Sequence, residues 1–335
     1  MECITVTLLL ESSNLSITDN LKKMIFNLSN YYNNRVKRIA KKYNFFYQDL
    51  EKNSNKNIFV LNNDSSKGLL KLKKKGRSIL ERLNCHIRFK NELNVYEDIK
   101  IKELQNFKIP DLMKSDRETF LLVEFLPKRR PDINNHEHII KALLEFQFQS
   151  VNQNYSLANI FLQPVFRCYL MGLKLLFKKK INPITFKSLV VAIVKLSLSH
   201  KKIEANYVHG DFHIGNLMQL NNGQLAIYDF ENVVKVKKWI YIDIARLARS
   251  NNAIFSFSNE IIIQYKLLLN KNFDHITKNI NDKLQLRFAF IYIALDALLK
   301  PSLNQMHDST KKLLVSTLLN TENYDQWYYD NFEKF

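Results

Sequence analysis

The chain has 335 residues, enough for two domains or for one domain built of two lobes. Hydrophobic residues make up 46% of it and charged residues 24%, which excludes a largely disordered protein. Fifty Lys and Arg against 32 Asp and Glu give a net charge of +18, a value typical of nucleic-acid-binding proteins. Because Asn, Ile, Phe and Tyr are abundant as well, and the basic residues are spread along the chain, we attribute this charge first to AT-rich codons and expect no nucleic-acid partner.

Cys3, Cys85 and Cys168 lie far apart and form no C-x-x-C pair, which excludes a disulfide framework and a zinc ribbon and fits a reducing compartment. The start, M-E-C-I-T-V-T-L-L-L, has an acidic residue where a signal peptide has a basic one. The apolar stretch Tyr155–Phe177 is interrupted by charged residues and a proline, and therefore predicts a buried helix. We expect a cytoplasmic protein without a membrane span.

The first 55 residues predict a short strand at Cys3–Leu10 and a polar helix around Ile17–Lys42, followed by a Lys/Asn-rich connector. Two short apolar runs come next, Ile58–Leu61 and Leu69–Leu72. The segment N-N-D-S-S-K-G between them forms turns readily, so the two runs predict a pair of strands.

A helix around Arg88–Asp98 is indicated by apolar residues at helical spacing, and Thr119–Leu126 is typical of a buried strand that Pro127 ends. Beyond Pro127 the pattern is mostly helical, with one β segment, Tyr207–Phe230, between two helical blocks. The helices predicted there are Ile139–Val151, Leu157–Lys178, Thr185–Ser199, Glu260–Leu269, Lys283–Lys300 and Thr310–Leu319.

This order of elements predicts an α+β fold with three parts. Residues 1–55 would be an N-terminal extension to which we assign no role. Residues 56–126 would form a small β-rich N-lobe, and residues 127–335 a larger helical C-lobe with a hairpin embedded in it.

The β segment contains the clearest local signal. Leu217–Leu220 and Gln224–Tyr228 flank the sequence N-N-G, whose Asn-Gly pair supplies the positive φ angles that a tight hairpin turn demands. A hairpin brings its two ends together. Asp211 and Asn216, before the first strand, should therefore meet Asp229 after the second, and such hard oxygen ligands suit Mg²⁺.

The five-residue gap from Asp211 to Asn216 matches the H-R-D-x-x-x-x-N loop of protein kinases, and Asp229 begins a D-F where D-F-G would stand. The run H-G-D-F-H-I-G-N, with Gly in place of Arg, more closely resembles the aminoglycoside phosphotransferase and choline kinase-like superfamily, kinase-fold enzymes that phosphorylate small-molecule hydroxyls. The segment Y-I-D-I-A-R-L, residues 241–247, resembles the element that follows the metal aspartate in that superfamily. The resemblance covers roughly residues 56–320 and is strongest at 207–247.

The resemblance implies an α+β, bilobal protein-kinase-like fold with ATP and Mg²⁺ as cofactors. Asp211 would orient the acceptor hydroxyl and take its proton, and Asn216 and Asp229 would hold Mg²⁺ on the β- and γ-phosphates. His209 is expected to hold the loop through hydrogen bonds, and Asp243 to act as an internal clasp.

A kinase-like fold also needs a strand lysine for the α- and β-phosphates, paired with a glutamate on the next helix. Lys71, in G-L-L-K-L, is the first candidate, and Lys73 points to the same face of the strand. The glutamate would be Glu92, with Glu97 as its competitor. The backbone from Glu124 to Leu126 would meet the adenine edge.

Two features depart from the family pattern. No G-x-G-x-x-G is present, and the loop over the phosphates would be Asn63–Gly68, which has a single glycine and should grip phosphate more weakly. Glu231 stands where D-F-G has its Gly, as in the choline and ethanolamine kinase-like branch.

The sequence thus predicts transfer of the γ-phosphate of ATP to a hydroxyl of a small molecule, such as an amino alcohol, a sugar or an aminoglycoside-like compound. One alternative is a nucleotide-binding pseudokinase acting as a regulator, against which the intact Asp/Asn/Asp set argues. The other is a basic nucleic-acid or membrane-surface binding protein, for which only the net charge speaks. The acceptor, the choice of ATP over GTP and the oligomeric state are left open.

Overall fold

The computed structural model describes residues 34–47, 58–62, 67–74, 79–98, 105–126, 131–132, 135–148, 162–199, 201, 206–249, 256–278, 280–301 and 304–333. The strand predicted at Cys3–Leu10 and residues 17–33 of the helix predicted at Ile17–Lys42 lie outside these residues.

The described strands form three sheets. They are β1 Phe46–Tyr47, β2 Ile58–Asn62, β3 Lys67–Leu72, β4 Phe107–Lys108, β5 Leu112–Ser115, β6 Phe120–Glu124, β7 Asn206–Val208, β8 Leu217–Gln219, β9 Leu225–Ile227 and β10 Val234–Val236.

Helix α1 covers residues 34–42. The other helices are α2 Ile79–Asp98, α3 His136–Phe148, α4 Pro164–Phe177, α5 Pro183–Ser199, α6 Ile242–Ala248, α7 Asn259–Asn272, α8 Asp274–Thr277, α9 Asp282–Leu299, α10 Asn304–Leu313 and α11 Thr321–Tyr328. Helices α10 and α11 continue into π-helical turns, Leu314–Leu318 and Tyr329–Glu333. None of the described helices combines the length and the apolar character needed to cross a bilayer.

The chain divides into two compact units, one of residues 1–97 and 110–127 and the other of residues 98–109 and 128–335. The predicted parts 1–55, 56–126 and 127–335 differ from this division in two places. Residues 98–109 belong to the second unit, because β4 pairs in parallel with β9 there. Helix α1, which we placed in a separate extension, packs into the core of the first unit.

The first unit is an antiparallel sheet in the order β1-β2-β3-β6-β5. On the central strand β3, Leu70 and Leu72 point to one face, where they join Val36 and Ile39 of α1 in a buried core. Lys71 lies between them in sequence and therefore points to the opposite face. Helix α2 begins at Ile79, nine residues before the helix predicted at Arg88.

The second unit is mainly helical, with α9 at its centre and buried along most of its length. The Phe146 ring of α3 contacts Phe107, Tyr207, His209 and Phe230, so one aromatic side chain supports three segments at or next to the β strands.

The predicted helices are present, although the one predicted at Leu157–Lys178 begins at Pro164. The expectation that this helix is buried is wrong, because Leu170, Leu173 and Phe177 on its outer side are exposed. Helices α6 and α11 were not predicted, because their periodic stretches are only 7 and 8 residues long.

Candidate active site

The predicted hairpin forms in the second unit. Strands β8 and β9 pair antiparallel, with Leu217 opposite Ile227. The Leu220 amide donates to the Gln224 carbonyl at 2.8 Å, and among the loop residues only Gly223 has a positive φ, of 87°. The prediction that both residues of the Asn-Gly pair take positive φ angles is wrong, because the loop has three residues and a single left-handed position at its end.

The ends of the hairpin bring Asn216 and Asp229 close together. The Tyr228 amide donates to the Asn216 carbonyl at 3.0 Å, and Asp229 is the next residue along the chain. Asp229 is left-handed (φ 63°, ψ 60°), a conformation that Asp adopts more readily than most residues. The Asn216 side-chain NH₂ donates to the Asp211 carbonyl at 2.9 Å, which directs its oxygen, a hard metal ligand, away from that carbonyl.

One buried carboxylate holds the loop that carries Asp211. The Asp243 oxygens accept from the backbone amides of His209 at 2.7 Å and Gly210 at 2.8 Å. Burial raises the pKa of Asp243 to about 7, and these two hydrogen bonds act against that rise. The expected clasp is confirmed.

The His209 ring is fully buried, and its Nε2 lies 2.9 Å from the Tyr228 carbonyl oxygen. Burial lowers the pKa of this imidazole, which favours the neutral ring as a hydrogen-bond donor to that carbonyl. His209 therefore ties the loop to the second strand of the hairpin, and its expected structural role is confirmed.

Gly210 stands where protein kinases have an arginine, and the packing gives a reason. Its φ is +75°, and a Cβ atom there would lie 2.9 Å from the carbonyl oxygen of Asn232. Asn232 ends the short 3₁₀ turn that follows Asp229. Because Gly210 lacks a side chain, the loop before Asp211 can pack directly against the turn after Asp229.

The Asp211 carboxylate lies between a guanidinium and an imidazole. Its Oδ1 is 3.2 Å from Arg246 Nη1, and its Oδ2 is 3.7 Å from His213 Nε2. Burial favours the protonated acid, but His213 and Arg246 outweigh burial and hold the pKa of Asp211 well below its usual range. Asp211 is therefore ionised at neutral pH, with its side chain 25% exposed.

Arg246 is a site residue that the sequence analysis did not single out. It is buried on α6, and its Nη2 lies 3.0 Å from Asp296 Oδ2, an oxygen that Lys300 Nζ also approaches to 3.2 Å. Burial opposes its charge, but Asp296 and then Asp211 raise the pKa of the guanidinium. The signal was the arginine inside D-I-A-R-L, because an arginine in so apolar a helix needs acidic partners.

In the first unit, the Lys71 ammonium lies 2.6 Å from the Glu92 carboxylate, and both side chains are buried. Lys73 contacts His86 instead, with Nζ and Nδ1 2.7 Å apart. Glu97, the competitor of Glu92, pairs with Arg117 on the surface. The geometry therefore selects the Lys71–Glu92 pair from the alternatives that the sequence left open.

The segment predicted to meet adenine follows β6. The Glu124 amide donates to the Asp111 carbonyl at 2.8 Å and the Phe125 amide to the Lys67 carbonyl at 2.9 Å. Both amides are thus engaged within the first unit, and the Leu126 side chain is buried.

Most of the loop predicted over the phosphates, residues 63–66, lies outside the described residues. Its last two residues belong to β3 rather than to a loop. A Cβ atom at Gly68 would lie 2.6 Å from the Leu122 side chain, so this glycine serves the packing of β3 on β6.

No protein-family model matches the chain, and no curated protein matches its sequence. Solved structures do match. The streptomycin–ATP–APH(2″)-IIa ternary complex has a TM-score of 0.55 at 14% identity, covering 85% of this chain and 96% of that one. ADP-bound aminoglycoside phosphotransferase APH(2″)-Ib has a TM-score of 0.54 at 14% identity, covering 84% of this chain and 97% of that one. A choline kinase from Streptococcus pneumoniae has a TM-score of 0.52 at 12% identity, covering 84% of this chain and 99% of that one.

These likenesses confirm the α+β, bilobal protein-kinase-like fold, in the form that aminoglycoside phosphotransferases and choline kinases share. At 12 to 14% identity the likeness is one of fold. What the fold does in this chain has to be argued from its own residues.

Proposed function

We propose that the protein is an ATP- and Mg²⁺-dependent phosphotransferase that moves the γ-phosphate to a hydroxyl of a small molecule. The placement of Asp211 carries the proposal. The Asp211 carboxylate is ionised and partly exposed, and Asp243 holds the loop that carries it. The Asp211 backbone carbonyl accepts a hydrogen bond from the Asn216 side-chain amide, and the loop packs against the turn that follows Asp229. The fold supports the same conclusion, since structures of similar fold contain ATP or ADP.

Asp211 would accept a hydrogen bond from the acceptor hydroxyl and take its proton as the new O–P bond forms. At the same time the bond from the γ-phosphorus to the β,γ-bridging oxygen would break and ADP would leave. Because its pKa is held low, Asp211 is a weak base, and proton transfer comes late. Its main contribution is then to orient the hydroxyl, which suits a loose transition state that needs little help from a strong base.

Asn216 and Asp229 fit a magnesium ion, because an amide oxygen and a carboxylate are the hard ligands that Mg²⁺ prefers. Mg²⁺ would neutralise charge that develops on the β- and γ-phosphates. Lys71, fixed by Glu92, would bind the α- and β-phosphates. Backbone carbonyl groups between Glu124 and Leu126 would bind the adenine, since the Glu124 and Phe125 amides already donate to other carbonyls.

An ATP-consumption screen over amino alcohols, sugars and aminoglycosides tests the proposal. We expect one of these classes to stimulate ATP consumption by the wild-type protein and not by an Asp211→Asn variant. If the protein binds ATP but none of these classes stimulates ATP consumption, the proposal is contradicted and a nucleotide-binding regulator is favoured.

Lys71→Ala should weaken ATP binding by about 10-fold or more, the loss expected for one charge-assisted hydrogen bond. Lys73→Ala, the matched control, should change it less than about 2-fold, because Lys73 contacts His86 and not Glu92. Titration of both variants with a fluorescent nucleotide measures the difference. If both variants lose the same factor in ATP affinity, the assignment of Lys71 to the α- and β-phosphates is wrong.

Arg246→Met should lower turnover by about 10-fold or more while the KM for ATP stays near that of the wild type. The guanidinium orients Asp211, and methionine would leave that carboxylate and Asp296 without their shared cation. Arg246→Lys should recover part of the loss, because it restores the charge but not the fork that reaches both acids. Steady-state kinetics together with Tm separate this role from a structural one, since a variant that lowers Tm alone would show that Arg246 only holds the fold.

A further inference from the structure

The acidic residues, unlike the basic ones, are not distributed evenly along the chain. Residues 146–203 contain nine Lys or Arg and no Asp or Glu, so this stretch carries half of the net charge of +18. Helices α4 and α5 lie within it. A compositional excess of lysine raises the positive charge everywhere, but it does not remove acidic residues from 58 consecutive positions.

Helices α4 and α5 form an antiparallel hairpin, joined by five residues. They pack closely, because a Cβ atom at Gly172 would lie 2.6 Å from the Leu189 side chain. Both helices also pack on α9, which fixes which sides are buried. The sides that face away from α9 are exposed along both helices.

Those exposed sides carry large apolar residues. Leu198, Phe177 and Ile184 are 81%, 77% and 76% exposed. Seven of the twelve exposed large hydrophobic residues of the described chain lie on this hairpin, which is far from a random scatter of single residues. We call this surface the hairpin face: Leu170, Leu173, Phe177, Ile184, Val191, Val194 and Leu198, with the exposed lysines Lys174, Lys178, Lys179, Lys187 and Lys195.

We propose that the hairpin face docks the protein on a lipid surface that contains anionic headgroups. Lysines attract acidic headgroups, and the apolar side chains between them can enter the boundary between headgroups and acyl chains. The lysine stems cover apolar surface while their ammonium groups stay in water, an arrangement typical of helices that lie on membranes. The absence of acidic residues from residues 146–203 removes the repulsion that would oppose such contact.

Two other occupants explain less of the surface. A groove of about 620 Å³ beside α5 takes in Ile184, Val191, Lys187 and Lys195, and it could hold an acidic helix of a partner protein. Phe177 and the exposed residues of α4 lie outside that groove, so a single bound helix would leave them in water. A nucleic acid would use the lysines but offers little to the apolar residues. A broad amphipathic surface accounts for both.

Co-sedimentation of the full chain with phosphatidylcholine vesicles, with and without phosphatidylserine, tests the proposal at about 150 mM salt. We expect the apparent affinity to rise at least about 10-fold with phosphatidylserine. The double variant Phe177→Ser/Leu198→Gln keeps the charge and should lose about 10-fold, and Lys187→Gln/Lys195→Gln should lose a similar factor.

The matched controls replace exposed residues elsewhere, Ile79→Gln/Leu267→Gln for the apolar pair and Lys41→Gln/Lys271→Gln for the lysines. Each control should change the affinity less than about 2-fold. If the wild type does not bind the anionic vesicles, or if the control pairs lose as much as the hairpin pairs, the proposal is wrong. The proposal is also wrong if the Phe177→Ser/Leu198→Gln variant binds the anionic vesicles as tightly as the wild type, since net charge alone would then explain the binding. The assay involves no phosphotransfer, so its outcome is independent of the proposed activity.

Discussion

Replacing Asp211 by Asn should lower turnover by about 100-fold or more while nucleotide affinity stays within a few-fold of the wild type. The amide keeps the shape of the carboxylate and can still accept a hydrogen bond from Arg246. It cannot take the proton of the acceptor hydroxyl, and its NH₂ group presents a donor where the hydroxyl needs an acceptor. The ligands proposed for Mg²⁺ are unchanged, so ATP should still bind.

Rapid-quench measurement of phosphate transfer, together with nucleotide titration, separates the two effects. Asp308→Asn is the matched control, because Asp308 is exposed on α10 and the substitution should leave both quantities unchanged. Turnover near that of the wild type in Asp211→Asn, with the true acceptor present, would show that the protein is not a phosphotransferase of this mechanism. A regulator that binds nucleotide would then be the better description.

The part of the site that the sequence predicted is the part determined by short-range structure. Asp211, Asn216 and Asp229 lie on one hairpin and the loop before it, and a tight turn is enough to bring the ends of two strands together. The sequence spacing of these residues was therefore enough to predict that they lie close together, without knowledge of the rest of the fold. Even the mistaken turn type did not change which residues meet, because the pairing of Leu217 with Ile227 is preserved.

The choice between Lys71 and Lys73 could not be made in this way. From the sequence both were expected on the same face of one strand, because side chains alternate with a period of two residues. In the structure β3 ends at Leu72, and Lys73 directly follows it. Only the position of α2 decides which ammonium meets Glu92, and that position depends on packing across the whole first unit. The structure places Lys71 there and gives Lys73 another partner, His86.

Arg246 and the boundary at residues 98–109 were missed for the same physical reason. The partners of Arg246, Asp211 and Asp296, lie on a distant loop and a later helix. Strand β4 belongs to the second unit because Phe107 pairs with Leu225, more than a hundred residues along the chain. Contacts of this kind are set by the folded chain. An arginine in an apolar helix indicates buried acidic partners, but the local sequence does not identify them.

Replacing Asp229 by Asn should have a different effect from Asp211→Asn, although both belong to one site. The loss of a carboxylate ligand should weaken Mg²⁺-dependent nucleotide binding by about 10-fold or more, and turnover should fall with it. Nucleotide titrations with Mg²⁺ and with EDTA isolate the effect, since the variant and the wild type should differ only when the metal is present.

The double variant Asp211→Asn/Asp229→Asn should be little slower than the slower of the two single variants, as for residues that act as one unit. The reason is that orienting the hydroxyl does not speed the transfer when the phosphates are no longer held in place. Likewise, holding the phosphates speeds it little when the hydroxyl is not oriented. Losses that multiply in the double variant would mean that the two carboxylates act independently. Nucleotide binding by Asp229→Asn that responds to Mg²⁺ as in the wild type would move the metal to other ligands.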